Sequence, residues 1–292
     1  MNVALYSQKV KKDFHPYLNE IFAVFEEFKW IPILEKKLKV ELVKLFPQLA
    51  DCKTYESPED FKSGIDLAIS MGGDGTFIQM VGYVKDSNVP VVGINTGRLG
   101  FMSNVSKNHI REALTRIKDS KYTLQDRSLI EIETKDHLFG DDNFAFNELT
   151  IHKKDSASMI SIRVELDGKY MNAYWADGLI VSTPTGSTAY SLSCGGPIVT
   201  PGCMVHIITP IAPHNLNVRP VLIPDFKEIR LVAECRSKSL LLTLDSRSKI
   251  IKNNYEIIVR KAKFCIKVIQ FEDYNFVDTI RDKLLWGLDK RN

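Results

Sequence analysis

No apolar stretch in this chain approaches the roughly 18 to 20 residues needed to span a bilayer, and the opening MNVALYSQKVKKD lacks the apolar run of a signal peptide. Both absences lead us to expect a soluble, cytoplasmic protein. Cysteine is scarce: Cys52, Cys194, Cys203, Cys235 and Cys265 are five, odd in number and never spaced C-x-x-C. Neither a disulfide framework nor a zinc site follows from them, so reduced thiols are expected. Net charge is nearly missing as well. The 39 lysines and arginines face 36 acidic residues, a balance of +3, which gives no broad cationic surface for nucleic acid or an anionic membrane. Any anionic ligand must be gripped locally. Low-complexity tracts, internal repeats and flexible linkers are also absent.

What remains is ordinary globular material, 44% apolar, 26% charged and 10% aromatic, and 292 residues suggest two domains. Val3 to Ser7 reads as a strand, and Pro16 opens an amphipathic helix carrying Leu18, Ile21, Phe22, Phe25 and Phe28. A second helical pattern has Leu38, Leu42, Leu45 and Leu49, with Pro47 ending it early. Asp66 to Ser70 reads as a buried strand that runs into glycines, followed by a helix presenting Phe77, Met80, Val81 and Val84, then a strand over Val89 to Ile94. These two βαβ units imply a parallel sheet. Ser106 is expected to cap a helix bearing Ile110, Ala113, Leu114 and Ile117.

Past about residue 120 the period changes to two: Ile160, Ile162, Val164 and Leu166 alternate with polar residues up to an Asp167-Gly168 hairpin turn. Further β segments follow at LIVS, VHIIT, EIRLVA, LLLTL, YEIIVR and FCIKVIQ, and Phe276, Ile280, Leu284 and Leu285 suggest a terminal helix. The expected division is an α/β domain over 1–120, with a C-terminal helix at 275–292 returning to it, and a mainly antiparallel β domain over 121–274.

Four segments carry chemistry. Gly72-Gly73-Asp74-Gly75-Thr76 lies at the carboxyl end of a parallel strand, where open α/β sheets build ligand crevices. Glycines let backbone N–H groups approach phosphate oxygens, and the next helix offers its positive end. It is neither a Walker loop nor G-x-G-x-x-G. Asp74 repels phosphate, so it serves a hydroxyl, a metal ion or only the helix N-terminus. A second glycine loop, Gly93-Ile94-Asn95-Thr96-Gly97-Arg98-Leu99-Gly100-Phe101, follows the next strand and supplies either turns or ligand contacts. Asn147-Glu148 is an amide and carboxylate pair able to hold two vicinal ribose hydroxyls, or merely an exposed strand end. Asp177 through Pro197, DGLIVSTPTGSTAYSLSCGGP, is the richest: it packs hydroxyls into a loop where Ser187 or Thr188 would cap a short helix suited to a phosphate. There Asp177 either accepts from an adenine amino group or caps a turn, and Tyr190 adds a flat face and a hydroxyl.

Together these segments closely resemble the NAD kinase family, within the superfamily of diacylglycerol kinases and phosphofructokinases. GGDGT alone is shared with lipid kinases; the long STPTGSTAYS stretch is the specific part. The resemblance implies an N-terminal α/β domain followed by a β-sandwich-like domain. It also implies transfer of the ATP γ-phosphoryl group to the 2′-hydroxyl of the adenosine ribose of NAD, giving NADP. A carboxylate is too weak a base to strip an alcohol in advance, so Asp74 is expected to orient the hydroxyl and take its proton late. Gly72, Gly73, Gly75 and Thr76 then belong to the nucleotide site. Asn147 and Glu148 would hold ribose or adenine groups, and Asp177 the base or the nicotinamide end. Thr188, Ala189, Tyr190, Ser191, Leu192 and Ser193 would line the dinucleotide, with Ala212 approaching the adenine. Mg²⁺ or another divalent ion would arrive with ATP, no protein-only metal cage being visible, and a homodimer or homotetramer is expected. The chain departs from the family pattern at Trp175, where relatives often carry arginine, at Arg247, where glutamine is frequent, and at Ser158, where relatives offer histidine. These departures leave the preference between NAD and NADH open. Two other readings compete: a kinase of lipid or other small alcohols, and a dinucleotide-binding regulator without turnover.

Overall fold

The structure is a computed structural model that describes the chain except Lys11, Arg98, Leu99, Asn104, 155–158, 236–238, Asp273, Tyr274 and 285–292. The chain forms two compact units, one of residues 1–126 and 266–292, the other of 127–265. Among the described residues no helix is long and apolar enough to cross a membrane.

The first unit is built on parallel strands. It runs β1 (Asn2–Tyr6), α1 (His15–Phe28), β2 (Ile31–Glu35), α2 (Lys36–Leu42), β3 (Thr54–Tyr55), β4 (Leu67–Met71), α3 (Asp74–Val84), β5 (Val91–Asn95), β6 (Val105–Ser106) and α4 (Ile110–Lys118). Strand order is β3-β2-β1-β4-β5, with β1 flanked by β2 and β4. The chain therefore winds outward through β2 and β3, then returns to the other side of β1. That reversal makes a switch point between β1 and β4, the position where doubly wound sheets place ligands. β4 and β5 are buried along their whole length, as expected for strands covered on both faces. α1 buries Leu18, Ile21, Val24 and Phe25, each worth about 1.5 to 3 kcal/mol on leaving water.

Three details differ from the expectation. The strand β2 was not anticipated, because Pro32 and a five-residue run without alternation hide it; its Ile33 and Leu34 are nevertheless buried beside β1. α2 stops at Leu42, leaving Leu45 exposed and Leu49 in a separate turn of 3₁₀ helix. Ser106 accepts the Asn108 N–H at 3.4 Å, so it caps a 3₁₀ turn ahead of α4 instead of α4 itself.

The second unit is antiparallel. β7 (Thr123–Glu133) leads into it, followed by β8 (Phe144–Ala145), β9 (Glu148–Lys153), β10 (Ile160–Leu166), β11 (Lys169–Ala176), β12 (Gly178–Ser182), α5 (Tyr190–Ser193), β13 (Val205–Ile211), β14 (Val221–Pro224), β15 (Ile229–Cys235), β16 (Ser239–Leu244) and β17 (Arg247–Lys252). One layer is β14-β13-β12-β9-β16-β17; in the other, β11, β10 and β15 pair in turn, ending on the first half of β18 (Tyr255–Gln270). A shared core takes Ile160, Ile162 and Leu231 from one layer and Leu149, Leu179 and Leu242 from the other, which is the packing of a β-sandwich. The Asp167-Gly168 turn has φ of 48° and 75°, the left-handed pair a two-residue hairpin demands. The far end of β18 pairs with β5 in the first unit, and α6 (Phe276–Leu284) follows there; Leu285 lies outside the described residues. The units divide at 126/127 and 265/266; the expected boundaries were 120/121 and 274/275.

Candidate active site

In the first unit the glycine segment stands where the sequence puts it. β4 delivers Gly72 and Gly73, and α3 begins at Asp74. Helix geometry leaves the first N–H groups of α3 without partners four residues back. Thr76 is buried, whereas Gly73 and Gly75 are exposed, and a Cβ built at either would meet no neighbour within 4 Å among the described residues. The fold itself does not demand glycine at 73 or 75; a group approaching the backbone from outside would.

Asp74 does more than the sequence foretold. Its carboxylate accepts three backbone N–H groups, from Phe101 at 2.8 Å, Met102 at 3.0 Å and Ser103 at 3.1 Å. The second glycine loop is therefore folded around it, and a side chain on Gly100 would collide with the carboxylate. A carboxylate has about four acceptor directions; with Oδ1 taking two of these bonds and Oδ2 one, a direction on Oδ2 remains for an incoming hydroxyl. Arg98 and Leu99 of this loop lie outside the described residues.

In the second unit β9 sets the pattern. Asn147 and Glu148 sit at its start, both buried, and Asn147 Oδ1 and Glu148 Oε2 have no hydrogen-bond partner among the described residues. Burial, then the nearby Asp245 charge, push the Glu148 carboxyl up to about 8, although the Tyr190 N–H bonds to it. Asp245 is a residue the sequence did not single out. From the β16–β17 turn it accepts the N–H groups of Phe146, Asn147 and Glu148 at 2.9, 2.8 and 3.3 Å, holding the pair in place. Its own burial raises its pKa. Thr183 secures the same stretch, donating to the Phe146 carbonyl at 2.7 Å, and Gly186 lies so close to the Asn147 backbone that any side chain there would overlap it.

At the other end of β9, Lys153 pairs with Asp177 at 2.5 Å, so Asp177 is a salt-bridged acceptor and not a turn cap. The Asp177 N–H bonds to the Ile211 carbonyl at 2.9 Å and the His214 N–H to the Trp175 carbonyl at 2.9 Å. Asp177, Trp175 and Ala212 thereby share one neighbourhood. Trp175 is 60% exposed, and Ala212 holds φ of 45°, a left-handed conformation that alanine seldom adopts. Tyr190, 38% exposed, places its hydroxyl 3.3 Å from His152 Nε2.

Several expectations need correcting here. Ser187 and Thr188 do not cap α5: Ala189 stands at that position, and the Tyr190 N–H is taken by Glu148. α5 spans only Tyr190–Ser193, too short for a phosphate-binding end. Nor do the hydroxyls all face a ligand. Ser187 bonds the Val199 backbone, Thr188 donates to the Thr185 carbonyl, and Ser191, fully buried, pairs with Thr209 at 2.9 Å. They lock the loop, which leaves Ala189, Tyr190, Leu192 and Ser193 at least partly accessible. Arg247 is spent on the carbonyls of Asp142 and Phe144 and stacks on the Phe144 ring, so it braces the Asn147 loop instead of offering a free cation. Ser158 lies outside the described residues. Among the described residues no three His, Cys, Asp or Glu side chains cluster as metal ligands would.

Among solved structures the chain shares its fold with yeast NADH kinase complexed with NADH, at TM-score 0.86 and 23% identity over 99% of this chain and 89% of that one. It shares it also with an NAD kinase from Archaeoglobus fulgidus in complex with ATP, at TM-score 0.74 and 23% identity over 98% of each. The architecture is thus that of the NAD and NADH kinases. Sequence carries the assignment further. The ATP-NAD kinase N-terminal domain matches residues 19–122 and the ATP-NAD kinase C-terminal domain residues 146–271. NAD kinases of Flavobacterium psychrophilum and Cytophaga hutchinsonii are 42% and 41% identical over the full length of both chains. The chain belongs to the NAD kinase family, and its activity is that of an NAD kinase.

Proposed function

We propose that the chain transfers the γ-phosphoryl group of ATP to the 2′-hydroxyl of the adenosine ribose of NAD, with Asp74 receiving the hydroxyl proton. The acceptor oxygen forms the new O–P bond, the bond from the γ-phosphorus to the β–γ bridging oxygen breaks, ADP leaves and the proton passes to the open direction on Asp74 Oδ2. The observation that carries this reading is the pair of buried, unpartnered acceptors, Asn147 Oδ1 and Glu148 Oε2. A fold with no ligand to serve gains nothing from them, since each buried acceptor without a donor costs about 1 to 3 kcal/mol. Vicinal ribose hydroxyls or an adenine amino group supply such donors.

In this reading Gly73, Gly75 and the start of α3 receive the donor phosphates, joined by Gly72 and Thr76. Asp177 takes a base or amide donor, while Tyr190 and Trp175 offer flat faces to rings. A divalent ion, Mg²⁺ in the first instance, would be held by the ATP phosphates and neutralise their charge. A cytoplasmic homo-oligomer completes the proposal. Full-length likeness to NAD kinases favours a dinucleotide over a lipid acceptor. The test is to incubate purified protein with ATP, Mg²⁺ and either NAD or a lipid alcohol, and to read NADP with an NADP-specific dehydrogenase. NADP formed only in the NAD arm is expected; phosphorylated lipid, or NAD binding without product, would overturn the reading.

A further inference from the structure

Helix α6 returns to the first unit and packs on the turn that Asp74 organises. The rings of Phe276 and Phe101 lie 6.4 Å apart, and Lys283 Nζ stands 4.6 Å from the centre of the Phe101 ring. Phe276 and Lys283 are seven positions apart, two helical turns, so one face of α6 grips Phe101 at both ends. The backbone N–H of that same Phe101 donates to Asp74 at 2.8 Å.

Lys283 is half-buried, and its ammonium feels two opposed influences: burial lowers its pKa and the Asp74 charge raises it. Among the described residues no carboxylate comes within the 4.0 Å of an ion pair. A lysine on a solvated face ordinarily extends into water. This one is folded over an aromatic ring toward the carboxylate at the head of α3 and stops short of contact, leaving a cation and an anion flanking the same backbone turn.

We propose that Lys283 contacts the terminal phosphates of the nucleotide donor, the Phe101 ring holding its ammonium beside Asp74 at the glycine turn. The proposal rests on the phosphoryl-transfer reading above and adds to it a cation beside the glycine turn. A positive group aimed at the transferring phosphoryl stabilises charge where it develops. It also lessens the repulsion between Asp74 and the incoming phosphates.

The test uses the full-length enzyme with Lys283→Met, Lys283→Arg and Phe101→Leu. Two readouts are compared: steady-state kinetics in ATP and in NAD, and equilibrium binding of ATP with Mg²⁺ in the absence of NAD. Expected for Lys283→Met is a loss of about 10 to 100-fold in kcat/KM for ATP, the scale of one charge-assisted contact, with KM for NAD within about twofold of wild type. ATP binding should weaken in parallel, Lys283→Arg should recover most of the loss, and Phe101→Leu should give a smaller defect of the same kind. A lower melting temperature with unchanged ATP parameters would overturn the proposal and leave Lys283 as a purely structural ring contact. Should the wild type bind ATP yet make no NADP, the binding arm still decides the role of Lys283. A wild type that fails to bind ATP at all contradicts both readings.

Discussion

Glu148 is held in a state that costs the fold something. Its carboxyl, ordinarily near 4.5, titrates at about 8 because burial and the neighbouring Asp245 disfavour its charge. Between those two values the unfolded chain has released the proton and the folded chain has kept it, so stability falls as pH rises through the window and levels off above about 8. Each tenfold in proton affinity is about 1.4 kcal/mol, which makes the total cost on the order of a few kcal/mol. Glu148→Gln should therefore raise the melting temperature at pH 8.5, with an advantage that shrinks toward pH 5. At pH 8.5, where the folded carboxyl has ionised, the same substitution should weaken NAD binding by about 10-fold or more, because a ribose hydroxyl loses an anionic acceptor. Denaturant melts across that pH range and a binding titration check both; a variant less stable than wild type throughout would refute the strain. Asn147-Glu148 was legible in the sequence as a polar pair inside an apolar segment. Asp245 was not, because a turn aspartate looks the same whether its carboxylate faces water or secures a loop almost 100 positions earlier in the chain.

At the scale of elements, the head of α3 offers the cleanest separation of fold from function. Gly75 is exposed and helical, and among the described residues no neighbour imposes a steric need for glycine. Gly75→Ala should leave the fold intact or stabilise it by up to about 1 kcal/mol through helix propensity, while raising KM for ATP at least about 10-fold by obstructing the phosphates. Loss of stability, or an unchanged KM, would show that the glycine serves the fold. The amphipathic α1 and α4, the buried β4 and β5 and the alternating β10 were readable because their periods are strong. β2 was missed because its neighbours, not its own residues, make it a strand. The hydroxyl-rich loop misled in a different way. Serine and threonine that bind a ligand and those that pin a loop have the same composition, and only the contacts of Ser187 with Val199 and Ser191 with Thr209 tell them apart.

Over the whole molecule, the two units bring different assets: the α/β unit a carboxylate and a glycine turn, the β unit a set of buried acceptors. The change of hydrophobic period announced that division in the sequence, and the terminal helix was expected to return to the first unit; that β18 itself carries the chain back needed the pairing of Val268 with Val91 to become visible. Acid should act on the β unit. His206 is fully buried, with neither ring nitrogen hydrogen-bonded among the described residues, faced by Asp225 and Lys261, and burial drops it from 6.5 to about 4. Unfolded chains take up that proton first, so stability is lost as pH falls from about 6.5 toward 4. His206→Leu should flatten this fall by about 1 to 3 kcal/mol, seen as urea midpoints at pH 7 and pH 4.5 that lie closer together than in wild type; an unchanged separation would contradict the assignment.

The most direct test of the account is single-turnover formation of NADP by Asp74→Asn, measured beside its NAD affinity. Asparagine cannot reproduce the site silently. Its amide oxygen can serve Met102 and Ser103, but its NH₂ would face the Phe101 N–H, so some loosening of that turn accompanies the loss of the proton acceptor. The account predicts a chemical step slowed by about two to four orders of magnitude, with NAD affinity within about twofold of wild type because its acceptors belong to the β unit. A variant that still makes NADP at near wild-type rate would contradict it, and would move the proton-accepting role away from Asp74.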